Sequence, residues 1–208
     1  MTRKNRRFLA SCGVVAPLLF VFLTILGGAL RPGYSHLTNT ISELFSPGAP
    51  NRLFLSALHT LYAVLLVLFG VGVFMFVRSK RQSQRSGLAG ASAYIAMGVV
   101  SIATASIFPQ DAWGSPPTFY GQMHILLHGV ITLLSILSIS LIGIWAFRSG
   151  ISPAFMTYSF VTILAALVMA GMFAANQGGP LMGLYERLAA LVGFQWTMAL
   201  AVLILKRT

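Results

Sequence analysis

His124 and His128 stand four residues apart in GQMHILLHG, a stretch that is otherwise almost wholly apolar. Four residues is about one helical turn, so both imidazoles share a face. Two histidines so placed could share a metal, ligate a haem, relay protons or hydrogen-bond inside a helix bundle. The other groups able to join such chemistry are few: the chain has three acids, Glu43, Asp111 and Glu186, and two more histidines, His36 and His59.

The elements that must position these groups follow from composition. Of 208 residues, 57% are hydrophobic and 8% charged, where a soluble domain carries about 25% charged residues. Six apolar runs are long enough to cross a bilayer, which takes about 20 helical residues. They cover Phe8–Leu30, Leu53–Val77, Gly87–Phe108, Gly121–Phe147, Ser152–Ala174 and Leu184–Leu205. The expected fold is all-α, a polytopic transmembrane bundle of six helices forming a single domain over residues 1–208. LASC, Leu9 to Cys12, has the form of a lipoprotein cleavage box, but the apolar run follows it, so the first run is expected to remain as a helix. Cys12 is the only cysteine, which leaves no disulfide pair and no thiolate cluster for zinc.

The net charge of +11 has its meaning in this membrane setting. Eleven of the 14 basic residues lie at the N-terminus (Arg3, Lys4, Arg6, Arg7), in the second connection (Arg78, Lys80, Arg81, Arg85), at Arg148 and at the C-terminus (Lys206, Arg207). A six-span layout puts all of these on one side. The positive-inside rule then places both termini in the cytoplasm, in the cell membrane, with anionic lipid headgroups as partners and no nucleic acid.

Every acid and histidine falls toward the opposite, outer face. His36 and Glu43 lie in the first outer connection, where ISELF could form a short interfacial helix. Asp111 follows run three, Glu186 opens run six, and His59, His124 and His128 lie in the outer halves of runs two and four. Intramembrane ionisable groups are costly and usually face the protein interior. His124, His128, Thr132, Ser135 and Ser138 recur at helical period and predict one inward polar stripe. Ser56 and His59 on helix two, with Ser101 and Thr104 on helix three, predict an outward-opening polar pocket lined by helices two, three, four and six. GLAGASA, Gly87 to Ala93, supplies small residues for close packing. Pro17 reads as a kink that a membrane helix tolerates.

Four chemistries fit these residues. A polar pocket could take a small polar ligand, a lipid headgroup or a cation from the outer side. Zinc could be held by His124, His128, His59 and Asp111 with Glu43 or Glu186 as base, giving an intramembrane hydrolase acting on a lipid or amide. That pattern loosely resembles seven-helix hydrolases of the alkaline ceramidase and adiponectin-receptor type, with one helix fewer here. Haem could sit between His59 and His128. A proton-coupled transport path needs polar groups through the whole depth, and the inner half offers hydroxyls alone. Against all four stands a structural role, with Asp111 capping a helix and Glu186 paired with Arg31 or Arg52.

Three short stretches carry a resemblance. RPGYSHLTNTISEL, FPQD with the following His124, and GLYERL resemble the bacterial and archaeal membrane family called domain of unknown function 998. The resemblance implies six helices over nearly the whole chain and marks Ser42, Glu43, Pro109, Asp111, His124, Glu186 and Arg187. The expected site therefore centres on His59, Asp111, His124 and His128, with His36, Ser42, Glu43, Glu186 and Arg187 around it.

Overall fold

A computed structural model describes residues 2–80 and 84–207. Arg81, counted above with the second connection, lies outside the described residues. Among the described residues the chain forms six long helices: α1 (Arg3–Ala29), α2 (Arg52–Arg78), α3 (Gln84–Ser106), α4 (Phe119–Arg148), α5 (Pro153–Ala175) and α6 (Met182–Leu205). All six are long and apolar enough to cross a membrane, so the protein is an integral, multi-pass membrane protein. One short 3-10 helix, Ser42–Phe45, lies between α1 and α2.

The helix ends follow local chemistry. The hydroxyl of Thr2 accepts from the Asn5 amide and starts α1 ahead of its apolar run, taking Arg3, Lys4, Arg6 and Arg7 into the helix. Thr118 caps α4 by accepting from the Gly121 amide. Pro153 opens α5, where its missing N–H costs nothing. Pro17 sits buried inside an unbroken α1.

The six helices form a ring. Each packs on the next in sequence, and α6 returns to α1. Both termini therefore share one end, called the basic end; the end holding the 31–51 segment is called the histidine end. The ring is filled toward the basic end by Phe69, Trp145 and Trp196, each at most 1% exposed. Small residues admit these rings. A Cβ at Gly13 would meet the Phe69 ring at 2.6 Å, and one at Gly87 would meet Trp145 at 2.6 Å. Gly87 and Gly90 of the GLAGASA stretch both face α4, as close helix packing requires.

At the level of Trp196, hydrogen bonds tie α3 to α6 across the ring and α5 to α6 beside it. Tyr94 Oη meets Thr197 Oγ1 at 3.0 Å, Trp196 Nε1 donates to Ser159 Oγ at 2.9 Å, and Gln195 Nε2 donates to Thr162 Oγ1 at 3.1 Å. Beyond it, packing loosens toward the histidine end. Between His124 and Ser138 no residue of α4 is buried; past Thr162 none of α5 is, and between Gly183 and Trp196 none of α6 is. A Cβ at Gly129, Gly171 or Gly193 would meet nothing within 4 Å. The bundle is thus sealed on one half and open on the other.

Candidate functional site

The histidine end is closed over by residues 31–51, which fold as a lid. Its local structure begins with Thr40-Ile41-Ser42-Glu43. The Glu43 amide donates to Thr40 Oγ1 at 3.3 Å, and the Thr40 amide donates to Glu43 Oε1 at 2.8 Å. This is a reciprocal capping box, T-x-x-E, which satisfies two free donors at the start of the 3-10 helix. Asn39 Nδ2 adds a third bond to Glu43, at 2.7 Å on Oε2. The short helix expected within ISELF is this element.

Two neighbours on the first turns of α6 hold the lid down. Glu186 accepts the Ile41 amide. Arg187 Nη1 donates to the carbonyls of His36 at 2.8 Å, Asn39 at 2.9 Å and Gly183 at 2.7 Å, while Nη2 donates to Tyr34 Oη. The Leu184 amide donates to Leu37 O at 2.9 Å. Gly183 is required here, because a Cβ would run into the Asn39 carbonyl. Arg31 does not pair with Glu186; it donates to the Glu43 carbonyl. The guanidiniums of Arg187 and Arg31 lie 5.6 Å and 5.8 Å from the centre of the Tyr34 ring. Burial pushes its phenol up to about 12, against an opposing pull from Arg187. His36 packs on Gly28 and Tyr34. Burial lowers its imidazole below the usual range, and the Arg187 charge adds to that.

Asp111 secures the neighbouring connection. Its carboxylate accepts the Thr118 amide at 2.8 Å and the Thr118 hydroxyl at 2.6 Å, and these two bonds hold it below the usual carboxylate range. It also lies against Gly121, where a Cβ would strike the carboxylate. Asp111 thus fixes the residue that caps α4 and sets the height of His124 one turn further on.

Beneath the lid lie the histidines. His124 is buried, with Nδ1 2.8 Å from the Phe108 carbonyl and Nε2 3.2 Å from Ser42 Oγ. A carbonyl can only accept, so Nδ1 carries a proton. In the neutral ring Nε2 is then the acceptor of the Ser42 hydroxyl. The His128 ring lies 4.5 Å from that of His124. His59 stands in an aromatic cage, 5.7 Å from Phe20, 5.4 Å from Phe45 and 5.3 Å from Tyr62 between ring centres. Phe194 closes the cage against Phe20 at 4.9 Å. His59 Nδ1 is buried and finds no hydrogen-bond partner among the described residues.

The inward stripe on α4 is corrected by this arrangement. His124 and Ser138 are buried, but His128 and Thr132 are exposed. Each step of four residues turns the side chain by about 40° on a 3.6-residue helix, so the stripe swings from the ring interior to its open side. Among the described residues no three His, Cys, Asp or Glu side chains are grouped as a metal would require. Both nitrogens of His124 are already engaged, and Asp111 is held by Thr118.

The expected residues therefore divide in two. Glu43, Glu186, Arg187 and His36 belong to the lid and its fastening. Ser42, His59, His124 and His128 form the centre, and Asp111 supports it. The cage residues Phe20, Phe45, Tyr62 and Phe194 carried no sequence signal beyond being aromatic. The capping box carried a plain one, T-x-x-E, in the segment that also supplies Ser42.

An apolar groove of about 520 Å³ runs along the bundle between α1, α5 and α6, lined by Leu18, Val21, Met169, Leu191 and Phe194 among others. Phe194 borders both this groove and the cage around His59.

No curated protein and no solved structure matches this chain. One family model does, that described as "Protein of unknown function (DUF998)", over residues 14–203. That match spans all but the ends of a chain whose lid, α6 anchor and His124 contact are built from the very stretches that resembled the family, and the protein belongs to the DUF998 family.

Proposed function

We propose that this protein lies in the cytoplasmic membrane with its basic end inside, and that its histidine end binds the polar head of a lipid or lipid-like amphiphile from the outer leaflet. The orientation rests on the basic residues gathered at one end and the acids and histidines at the other. The binding reading rests above all on His128. His128 is an exposed residue of α4, its ring beside that of His124, within a span whose neighbours, Ile125 and Leu126, are 72% and 58% exposed. A polar ring facing the bilayer interior is costly unless something polar meets it.

Three features agree with that. His59 offers a buried nitrogen without a hydrogen-bond partner among the described residues. The outer halves of α4, α5 and α6 stand open toward the bilayer. The apolar groove reaches the His59 cage at Phe194, so a chain in the groove brings its head to the histidines. Its volume lies within the range of about 300–1,000 Å³ usual for small-molecule sites.

Native mass spectrometry of protein extracted in mild detergent tests this. Wild type should retain one lipid-mass molecule. A net hydrogen bond is worth about 1 kcal/mol, so loss of two donors in the His59→Ala, His128→Ala double variant should cut occupancy at least about fivefold. Equal occupancy in a folded double variant would contradict the proposal.

A further inference from the structure

We propose that the same site is a serine acyl-transfer centre, with Ser42 as nucleophile and His124 as its general base, acting on the carboxylic ester of a long-chain amphiphile. This rests on the binding reading above and adds a reaction to it.

The carrying observation is one line of atoms: Phe108 O, 2.8 Å from His124 Nδ1, and His124 Nε2, 3.2 Å from Ser42 Oγ. A nucleophile, a base and a group that orients the base form the minimal unit of nucleophilic catalysis. The Phe108 carbonyl fills the orienting place that a carboxylate holds in a triad, and it sets the tautomer that leaves Nε2 free to take a proton. Other lid hydroxyls serve the backbone or Glu43. Thr40 Oγ1 bonds Glu43, Ser46 Oγ donates to the Glu43 carbonyl, and Thr38 Oγ1 donates to Pro180 O. Ser42 differs from these in meeting an imidazole nitrogen.

Its position is held from both sides. The capping box fixes the residues flanking it, and Glu186 grips the amide just before it. Such pre-positioning is what orientation contributes to catalysis. Three residues after Ser42, Phe45 packs on the His59 ring. His59, whose Nδ1 has no hydrogen-bond partner among the described residues, would donate to the developing oxyanion in its Nδ1–H tautomer.

Ser42 Oγ forms a bond to the ester carbonyl carbon and its proton passes to His124 Nε2. The bond from that carbon to the alkoxy oxygen breaks, and the leaving alcohol takes the proton from Nε2. Water then gives a proton to Nε2 while its oxygen attacks the acyl carbon. The bond from the acyl carbon to Ser42 Oγ breaks, the acid departs, and Oγ takes the proton back from His124 Nε2.

A long-chain alkyl fluorophosphonate is the probe. Ser42 Oγ would bond phosphorus, fluoride would leave, and the proton would go to His124. With protein in nanodiscs, peptide mapping should find the adduct on Ser42. It should be absent in Ser42→Ala and His124→Ala and kept in Ser46→Ala. The near-isosteric Ser42→Cys gives a second measurement, since the native Cys12 is buried. Its alkylation by iodoacetamide should slow at least about tenfold when His124→Ala is added, the thiolate being the reactive form. No adduct on wild-type Ser42, or equal alkylation rates with and without His124, overturns the nucleophile. Lipid retention measured on Ser42→Ala separates the two claims. Retention without an adduct leaves binding standing and removes the reaction; an adduct with retention unchanged by loss of His59 and His128 removes the binding reading instead.

Discussion

Arg187→Ala is expected to lower stability by about 3 kcal/mol and to free the 31–51 segment for proteolysis. One guanidinium serves the carbonyls of His36, Asn39 and Gly183 and the Tyr34 hydroxyl. A bond from a charged donor is worth roughly 1.5–3 kcal/mol net, and bonds sharing one group do not add fully. Alanine leaves those acceptors to find water at the edge of the bundle, so the loss stays well below the sum. For a chain of this size, about 3 kcal/mol moves the melting point by roughly 6–12 °C. Arg187→Lys should recover less than half of that, because an ammonium cannot reach both Tyr34 and the three carbonyls with a planar fork. Thermal unfolding in detergent, with limited proteolysis of the lid, measures both effects. A melting point for Arg187→Ala within a degree or so of wild type would contradict the lid.

The second large effect belongs to His124. Replacement by phenylalanine keeps most of the ring volume but strands the Phe108 carbonyl and the Ser42 hydroxyl, both of which it now satisfies. A buried polar group left without its partner costs about 1–3 kcal/mol, so His124→Phe should destabilise by about 3 kcal/mol. His128→Ala is the contrast. That residue is exposed and its ring lies 4.5 Å from that of His124 at a tilt of 42°, and its loss should cost under about 1 kcal/mol, in the range of ordinary surface changes. Unfolding experiments that rank the two variants equally would remove the distinction between a positioned histidine and one that awaits a ligand.

The spans were legible because a bilayer demands long apolar runs, and nothing in the packing overrides that demand. The helices differ from the runs mainly at their ends, as where Thr2 starts α1 in the basic segment. Glu43, Glu186 and Arg187 could be picked out as rare charged residues, but not their roles. Their partners are backbone amides and carbonyls of the lid, and those are placed only once the lid is folded. The gathering of acids at one end looked like a sign of ligand chemistry; much of it is the fastening of the lid. The α4 stripe misled because its four-residue steps drift around the helix. The cage at His59 draws Phe20, Phe45, Tyr62 and Phe194 from four separate segments, and among 15 phenylalanines no local pattern marks them.

The centre that remains is small: Ser42 held over His124 by a pinned lid, with His59 and His128 beside it and an apolar groove leading to the cage. A lipid headgroup is expected to enter there. Photo-crosslinking with a phospholipid carrying a diazirine in its headgroup tests this most directly, in nanodiscs, with adducts mapped by peptide mass. Adducts should concentrate near His59 and on residues 119–132 of α4, and fall at least about fivefold in the His59→Ala, His128→Ala variant. Adducts spread evenly over the exposed faces of α4 and α5, and unchanged in that variant, would contradict it.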